Sequence, residues 1–149
     1  MVIVDYAHTP DGLKNILIAA SELKPANGDL ICLFGCGGDR DVTKRPKMGA
    51  IAEEYADKVV LTSDNPRSED PQQIISDILA GFKSTSNVLV EPDRGDAIKA
   101  VKNIAKNDDV VVLAGKGHET YQILKDTTVH FDDREEAKKI FAMNEVTNA

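Results

Sequence analysis

The sequence predicts an α/β domain with a Rossmann-like, mostly parallel sheet flanked by helices and an antiparallel hairpin toward the C-terminus. Short β-branched runs alternate with amphipathic stretches through the first two thirds of the 149-residue chain. Those runs are almost continuously apolar, as strands covered on both faces are. The rhythm then changes after Gly117, where two short apolar runs flank a polar turn.

Residues 2–5 read as the first strand, after which Leu13, Ile16, Leu17 and Ala20 recur at helical spacing until Pro25 and Gly28 end the pattern. Residues 30–34 form a second strand. A helix over 44–56 places Met48, Ile51, Ala52 and Tyr55 along one side, and 58–62 returns as the third strand. Ile74, Ile75, Ile78 and Leu79 mark the next helix, closed by Gly81. Residues 88–90 are strand-like, Ala97, Ile98, Val101, Ile104 and Ala105 give another helix, and 110–114 is the fifth strand. Runs at 121–124 and 129–131, separated by Lys125-Asp126-Thr127-Thr128, form the hairpin, and a short helix follows over 134–141. Residues 144–149 are expected to fray. One domain over residues 1–143 accounts for the pattern.

With 42% apolar residues, a chain of 149 buries a core without disulfides or structural metals. A formal net charge of −7 excludes a general nucleic-acid binder, which needs a basic face. Any anion site is therefore local. Such a place is 35–47, where Arg40, Lys44, Arg45 and Lys47 outnumber Asp39 and Asp41. Cys32 and Cys36 have no further Cys/His cluster to make a zinc site, and they fit two reduced thiols in a reducing cytosol. No apolar stretch reaches the roughly 18 residues of a membrane span, and the start lacks a basic region followed by a long apolar one. The expectation is a cytoplasmic protein with no membrane, nucleic-acid or metal partner.

Four strands end in polar loops, and a parallel sheet brings such loops to one edge, where α/β folds place their ligands. The first is Asp5-Tyr6-Ala7-His8-Thr9-Pro10; its Asp and His fit a ligand site or a capped turn equally well. The second, Gly35-Cys36-Gly37-Gly38-Asp39-Arg40-Asp41, combines glycines that admit close backbone approach with basic residues leading into a helix. Neither the P-loop signature nor the dinucleotide fingerprint is present, which weakens a nucleotide-dependent oxidoreductase. The third, Asp64-Asn65-Pro66-Arg67, offers a guanidinium whose fork matches a carboxylate, although Asp70-Pro71 would start a helix in any case. The fourth, Gly115-Lys116-Gly117-His118-Glu119, offers a carboxylate and glycine carbonyls to an ammonium. Together the loops complement a zwitterion. No Ser/His/Asp-type nucleophile accompanies them, so the edge positions a ligand and contains no catalytic residue of its own.

These loops, with Lys44-Arg45-Pro46 and Phe131-Asp132-Asp133-Arg134-Glu135, resemble in order the motifs of the C-terminal domain of the Mur ligases, of the type that adds meso-diaminopimelate. The resemblance spans nearly the whole chain. It implies an ATP- and magnesium-dependent ligase of peptidoglycan synthesis, which activates a carboxylate of UDP-MurNAc-L-Ala-D-Glu as an acyl phosphate for attack by an amine. It further implies that Asp64, Asn65 and Arg67 read the distal end of diaminopimelate, that Arg40 binds its other carboxylate, and that Gly115 and Glu119 hold the distal ammonium. Asp5 and His8 match positions near the nucleotide, and Lys44 and Arg45 would face ATP too. Asp93-Arg94 matches the pattern as either structural or ribose-facing. The family's N-terminal UDP-binding and central ATPase domains are absent, so the expectation is a monomeric, excised amino-acid-binding domain, inactive alone. A lysine-adding relative or a stand-alone amino-acid or nucleotide binding module are the alternatives, and Arg67 argues against the first.

Overall fold

The computed structural model describes residues 1–142 and the backbone of residues 147 and 148. In chain order the elements are β1 (Val2–Asp5), α1 (Pro10–Leu23), β2 (Leu30–Phe34), α2 (Lys44–Tyr55), β3 (Lys58–Leu61), α3 (Pro71–Leu79), β4 (Val88–Val90), α4 (Arg94–Ile104), β5 (Val110–Ala114), β6 (Tyr121–Ile123), β7 (Thr128–His130), α5 (Asp133–Phe141) and β8 (Thr147–Asn148). Six strands make one sheet in the order β4-β3-β2-β5-β1-β8, and every neighbouring pair is parallel.

That order dictates where the helices go. From β1 to β4 the chain always steps in one direction across the sheet, and right-handed crossovers then place α1, α2 and α3 on one face. Between β4 and β5 the direction reverses, so α4 crosses on the other face. The core divides accordingly. Leu13, Leu17, Met48, Ala52, Ile74, Ile75 and Ile78 pack on Ile3, Cys32, Phe34, Leu61 and Val112, whereas Ala97, Ile98, Val101 and Ala137 pack on Val4, Leu33, Val60 and Leu113. Each central strand therefore buries both sets of side chains, which explains its continuous apolar run.

Four helices begin on a side-chain cap directly behind a sheet-edge loop: Thr9 accepts from Gly12 N, Asp70 from Gln72 N, Asp93 from Asp96 N and Asp132 from Arg134 N. The polar content of the loops is thus shared between capping and the cleft beyond. Asp70-Pro71 does start α3, and Arg67 still turns toward the cleft.

The hairpin sits apart as a two-stranded antiparallel sheet, with Tyr121 opposite His130 and Ile123 opposite Thr128. Its second strand starts one residue earlier than the sequence predicts because Leu124 N donates to Thr127 O (2.8 Å), which closes the turn before Thr128. Most of the expected fraying segment 144–149 lies outside the described residues; Thr147 and Asn148 run parallel to Ile3 and Val4.

Candidate functional site

The loops behind β1, β2, β3 and β5 converge on a cleft of about 420 Å³. Among the residues singled out from sequence, His8, Arg40, Lys44, Asp64, Asn65, Arg67, Gly115 and Glu119 line it, and the structure adds Tyr6, Gly37 and Tyr121. Asp5 stands just behind, where its carboxylate accepts the Ala7 N–H (3.1 Å) and its carbonyl accepts the Gly115 N–H (3.0 Å).

Arg45 is a correction. Its guanidinium is fully buried and faces away from the cleft, paired with Glu69 (2.8 Å) and Asp77 (2.9 Å). The neighbouring Lys44 points the other way and donates to His8 O (2.9 Å). One helical residue turns the side chain by about 100°, so adjacent basic residues at a helix start serve opposite sides.

The cationic wall is made of Arg40 and Arg67. Arg67 has left-handed backbone (φ 52°), and its Nη1 donates to Gly38 O (3.0 Å) and Asn65 O (3.4 Å). Among the described residues no acceptor takes its Nη2. Arg40 is exposed and spends only Nη1, on Asp39 O (2.9 Å). The two loops touch through backbone: a Cβ on Gly38 would stand 1.8 Å from Pro66 O, so only glycine allows the approach.

The acidic wall is made of Asp64 and Glu119, with Lys116 behind them. Lys116 is completely buried; its ammonium lies 3.4 Å from Glu119 Oε1, 3.4 Å from Asn65 Oδ1 and 4.0 Å from Asp64 Oδ1, and donates to Tyr121 O. Asp64 Oδ1 has no hydrogen-bond partner. Burial pushes the Asp64 carboxyl above its ordinary value, against the lowering influence of Arg94 and Lys116. A buried acceptor without a donor calls for one from outside, and two carboxylates facing one internal ammonium leave a net negative charge. Gly115, at φ 110°, brings its backbone to Asp64, where a Cβ would lie 3.0 Å from Oδ2.

Two supports stand behind these walls, and the first of them, a clamp by the hairpin, escaped sequence reasoning. The hairpin clamps the Asp64–Arg67 loop: Ile123 N donates to Asn65 Oδ1 (2.9 Å), Arg67 N to Ile123 O (3.1 Å) and Gln122 Nε2 to Asp64 O (2.8 Å). This fixes the Asn65 amide with its NH₂ left to donate elsewhere. Arg94 is the second. It forks onto Asp133 (2.8 and 2.6 Å) and also holds Ser63 O and Ala114 O (3.1 Å each), the carbonyls just before Asp64 and Gly115. Of the two expectations for Arg94, the buried structural one matches this placement. The residues in Asp132-Asp133 divide similarly, one capping α5 and one buried against Arg94.

At the open side, the Tyr6 ring stands 4.7 Å from His8 and 5.2 Å from His118. Tyr121 donates to Glu119 Oε2 (3.2 Å), and that carboxylate holds the phenol above its ordinary value.

Comparison with known proteins adds the family context. Residues 1–117 match the family described as Mur ligase, glutamate ligase domain. A UDP-N-acetylmuramoyl-L-alanyl-D-glutamate--2,6-diaminopimelate ligase of Synechococcus elongatus is 60% identical over 141 residues, 95% of this chain and 28% of the relative. The same-named ligase 1 of Clostridium acetobutylicum is 58% identical over 134 residues, 90% of this chain and 27% of the relative. A solved structure of a ligase with that name superposes with a TM-score of 0.86 at 46% identity, covering 93% of this chain and 28% of that one. A Mycobacterium tuberculosis folylpolyglutamate synthase, solved with ADP and AMPPCP, shares the fold at 23% identity and a TM-score of 0.56, covering 75% of this chain and 26% of its own. The chain thus spans little more than a quarter of the length of the relatives it matches.

Proposed function

The chain belongs to the Mur ligase family, and from that premise we propose that it is the amino-acid-binding domain of an ATP-dependent ligase joining meso-2,6-diaminopimelate to UDP-MurNAc-L-Ala-D-Glu in peptidoglycan synthesis. The observation that carries the reading is that charges of both signs, Arg40 and Arg67 with Asp64 and Glu119, line one cleft. A molecule with a carboxylate and an ammonium at each end fits such walls. Arg67 and the Asn65 amide take the distal carboxylate, Asp64, Glu119 and the Gly115 carbonyl take the distal ammonium, and Arg40 takes the other carboxylate. The second amine is thereby left to attack.

The reaction itself forms an amide bond between that amine and a substrate carboxyl activated as an acyl phosphate; phosphate leaves with the bonding electrons and the nitrogen loses a proton. This domain's contribution is orientation, which can supply a large part of a barrier reduction when reacting atoms are held in register. ATP, magnesium and the UDP-linked acceptor are assigned mainly to the rest of the enzyme. Tyr6, His8 and Lys44 form the side of the cleft that would meet the nucleotide. Among the described residues no group of three or more His, Cys, Asp or Glu side chains could hold a metal ion.

Selectivity follows from what lysine lacks. With lysine bound, Arg67 and Asn65 would have no carboxylate, and leaving buried polar groups unpaired gives discrimination of about 10⁴-fold where a site is built around them. In the complete ligase, Arg67→Ala should raise KM for diaminopimelate at least about a hundredfold, the scale of losing one charged, bidentate contact. Unchanged kinetics with diaminopimelate, or wild-type preference for lysine, would overturn the reading.

A further inference from the structure

The loops that present Arg40 and Arg67 are shaped by a polar lock. Each contains one non-glycine residue in left-handed backbone, Asp39 (φ 56°) in the first and Arg67 (φ 52°) in the second. L-residues stay in that region only where their surroundings over-determine it. Here the determination is reciprocal. The Asp39 carboxylate accepts from Ser68 N (3.3 Å) and Ser68 Oγ (2.7 and 2.9 Å), while the Glu69 carboxylate accepts from Asp39 N (2.5 Å).

Arg45 closes the lock from below. Its Nη1 donates to Glu69 Oε1 (3.2 Å) and Asp77 Oδ2 (2.9 Å), and its Nη2 to Glu69 Oε2 (2.8 Å) and Gly37 O (3.1 Å). Its side chain is 0% exposed, against 27% for Glu69 and 32% for Asp77. One guanidinium therefore joins α2, α3 and both loops, and the contacts it organises lie one residue from Arg40 on one side and one residue from Arg67 on the other. Neither Arg45 nor Glu69 lines the cleft.

We propose that the Arg45–Glu69 pair positions the guanidiniums of Arg40 and Arg67 relative to each other, and so sets the cleft's selectivity for a dicarboxylate diamino acid over one with a single carboxylate. This rests on the reading of the cleft given above. Two guanidinium forks read two carboxylates only if their separation matches the ligand, and a misplacement of about 1 Å far from the reacting atoms can cost on the order of a hundredfold. An ammonium cannot replace the planar fork, since it would have to serve Glu69, Asp77 and Gly37 O from one point. A glutamine at position 69 keeps the shape but turns one acceptor into a donor, so it must give up either Asp39 N or an Arg45 N–H.

The test is steady-state kinetics of the complete ligase with diaminopimelate and with lysine, using Glu69→Gln, Arg45→Lys and Asp77→Asn. Wild type is measured first and should prefer diaminopimelate; if it does not, the reading of the cleft falls and this inference with it. For Glu69→Gln and Arg45→Lys the expected result is a rise of about tenfold or more in KM for diaminopimelate, with kcat and KM for ATP within about twofold and a matching fall in selectivity over lysine. Asp77→Asn weakens the anchorage of the same guanidinium without touching either loop, and should lower the melting temperature while leaving selectivity unchanged. Should Arg45→Lys fail to fold, Glu69→Gln, at a partly exposed carboxylate, carries the test alone. If wild type shows the preference, a folded Glu69→Gln enzyme with unchanged KM, or with losses spread equally over ATP, diaminopimelate and kcat, overturns the positioning role and leaves the cleft reading standing.

Discussion

Removing the Asp133 carboxylate should unbalance the floor of the cleft. Arg94 and Asp133 side chains are both 0% exposed and meet at 2.6 Å. In Asp133→Ala the guanidinium keeps Ser63 O and Ala114 O but loses its counter-charge, and an uncompensated buried cation costs about 3–5 kcal/mol. For a domain of this size each kcal/mol lowers the melting temperature by about 2–4 °C, so the variant should melt roughly 6–20 °C below wild type. The double variant Arg94→Met/Asp133→Leu removes both charges. Replacing a buried pair by apolar groups is close to neutral in itself, leaving about 1–3 kcal/mol for each carbonyl stripped of its donor. Urea denaturation should place both variants below wild type, since two stripped carbonyls at about 1–3 kcal/mol each cost an amount comparable to the roughly 3–5 kcal/mol of the lone buried cation. Amide exchange should report loosened residues around 63–65 and 114–116 in both variants. Asp133→Ala within about 1 kcal/mol of wild type would refute the view that this pair's importance lies in mutual neutralisation.

The Asp64 carboxyl is raised by burial, so the folded state binds its proton more tightly than the unfolded chain and stability falls as pH rises through that group's titration. Asp64→Asn removes the charged form; it should melt no lower than wild type at pH 7 while losing diaminopimelate recognition, and a clear drop in midpoint would contradict the argument. Burial also pushes the thiols of Cys32 and Cys36 to about 12. Neither should react with a disulfide reagent at pH 8 in the native chain, and both should after unfolding; rapid native labelling would show that the strand end opens. At the surface, Glu135 sits 2.7 Å from His130 and raises its pKa above 6.5. The stabilisation it gives is full below about pH 6.5 and fades as pH rises through the raised value. An NMR titration should show the His130 midpoint falling in Glu135→Gln, and equal midpoints would dismiss the pair.

The strands and helices were legible because the order β4-β3-β2-β5-β1 buries both faces of each central strand, and a two-sided strand has to be apolar throughout. Convergence of the loops followed from parallel direction alone. What stayed hidden depends on partners distant in sequence. Composition groups Arg45 with Lys44 in one basic patch, and composition does not say which way a side chain turns. Its carboxylates lie 24 and 32 residues later. Lys116 reads as a solvated residue between two glycines, yet the turn they make folds it under Glu119 and Asn65. The hairpin at 121–130 was legible as a hairpin but not as a clamp, since Gln122 and Ile123 reach a loop 58 residues away.

The three buried cations share one property. Arg45, Arg94 and Lys116 are each fully buried beneath a different part of the cleft, and each directs donors at carboxylates and loop carbonyls, with only the Arg45 Nε among the buried donors of these three left without a partner. Such groups are poor stabilisers compared with apolar packing, because desolvation consumes most of the Coulombic gain. Directionality is what they contribute: a guanidinium fixes carbonyls at hydrogen-bond distance and angle, which a leucine cannot do. Loops with few apolar contacts thereby acquire a fixed shape, and Arg40, Arg67, Asp64 and Glu119 can remain partly uncommitted. The division makes opposite demands on substitutions. Changes at the buried cations should disturb stability and geometry together, whereas truncating Arg67, whose Nη2 has no acceptor among the described residues, should remove recognition while leaving most of the fold's cohesion in place.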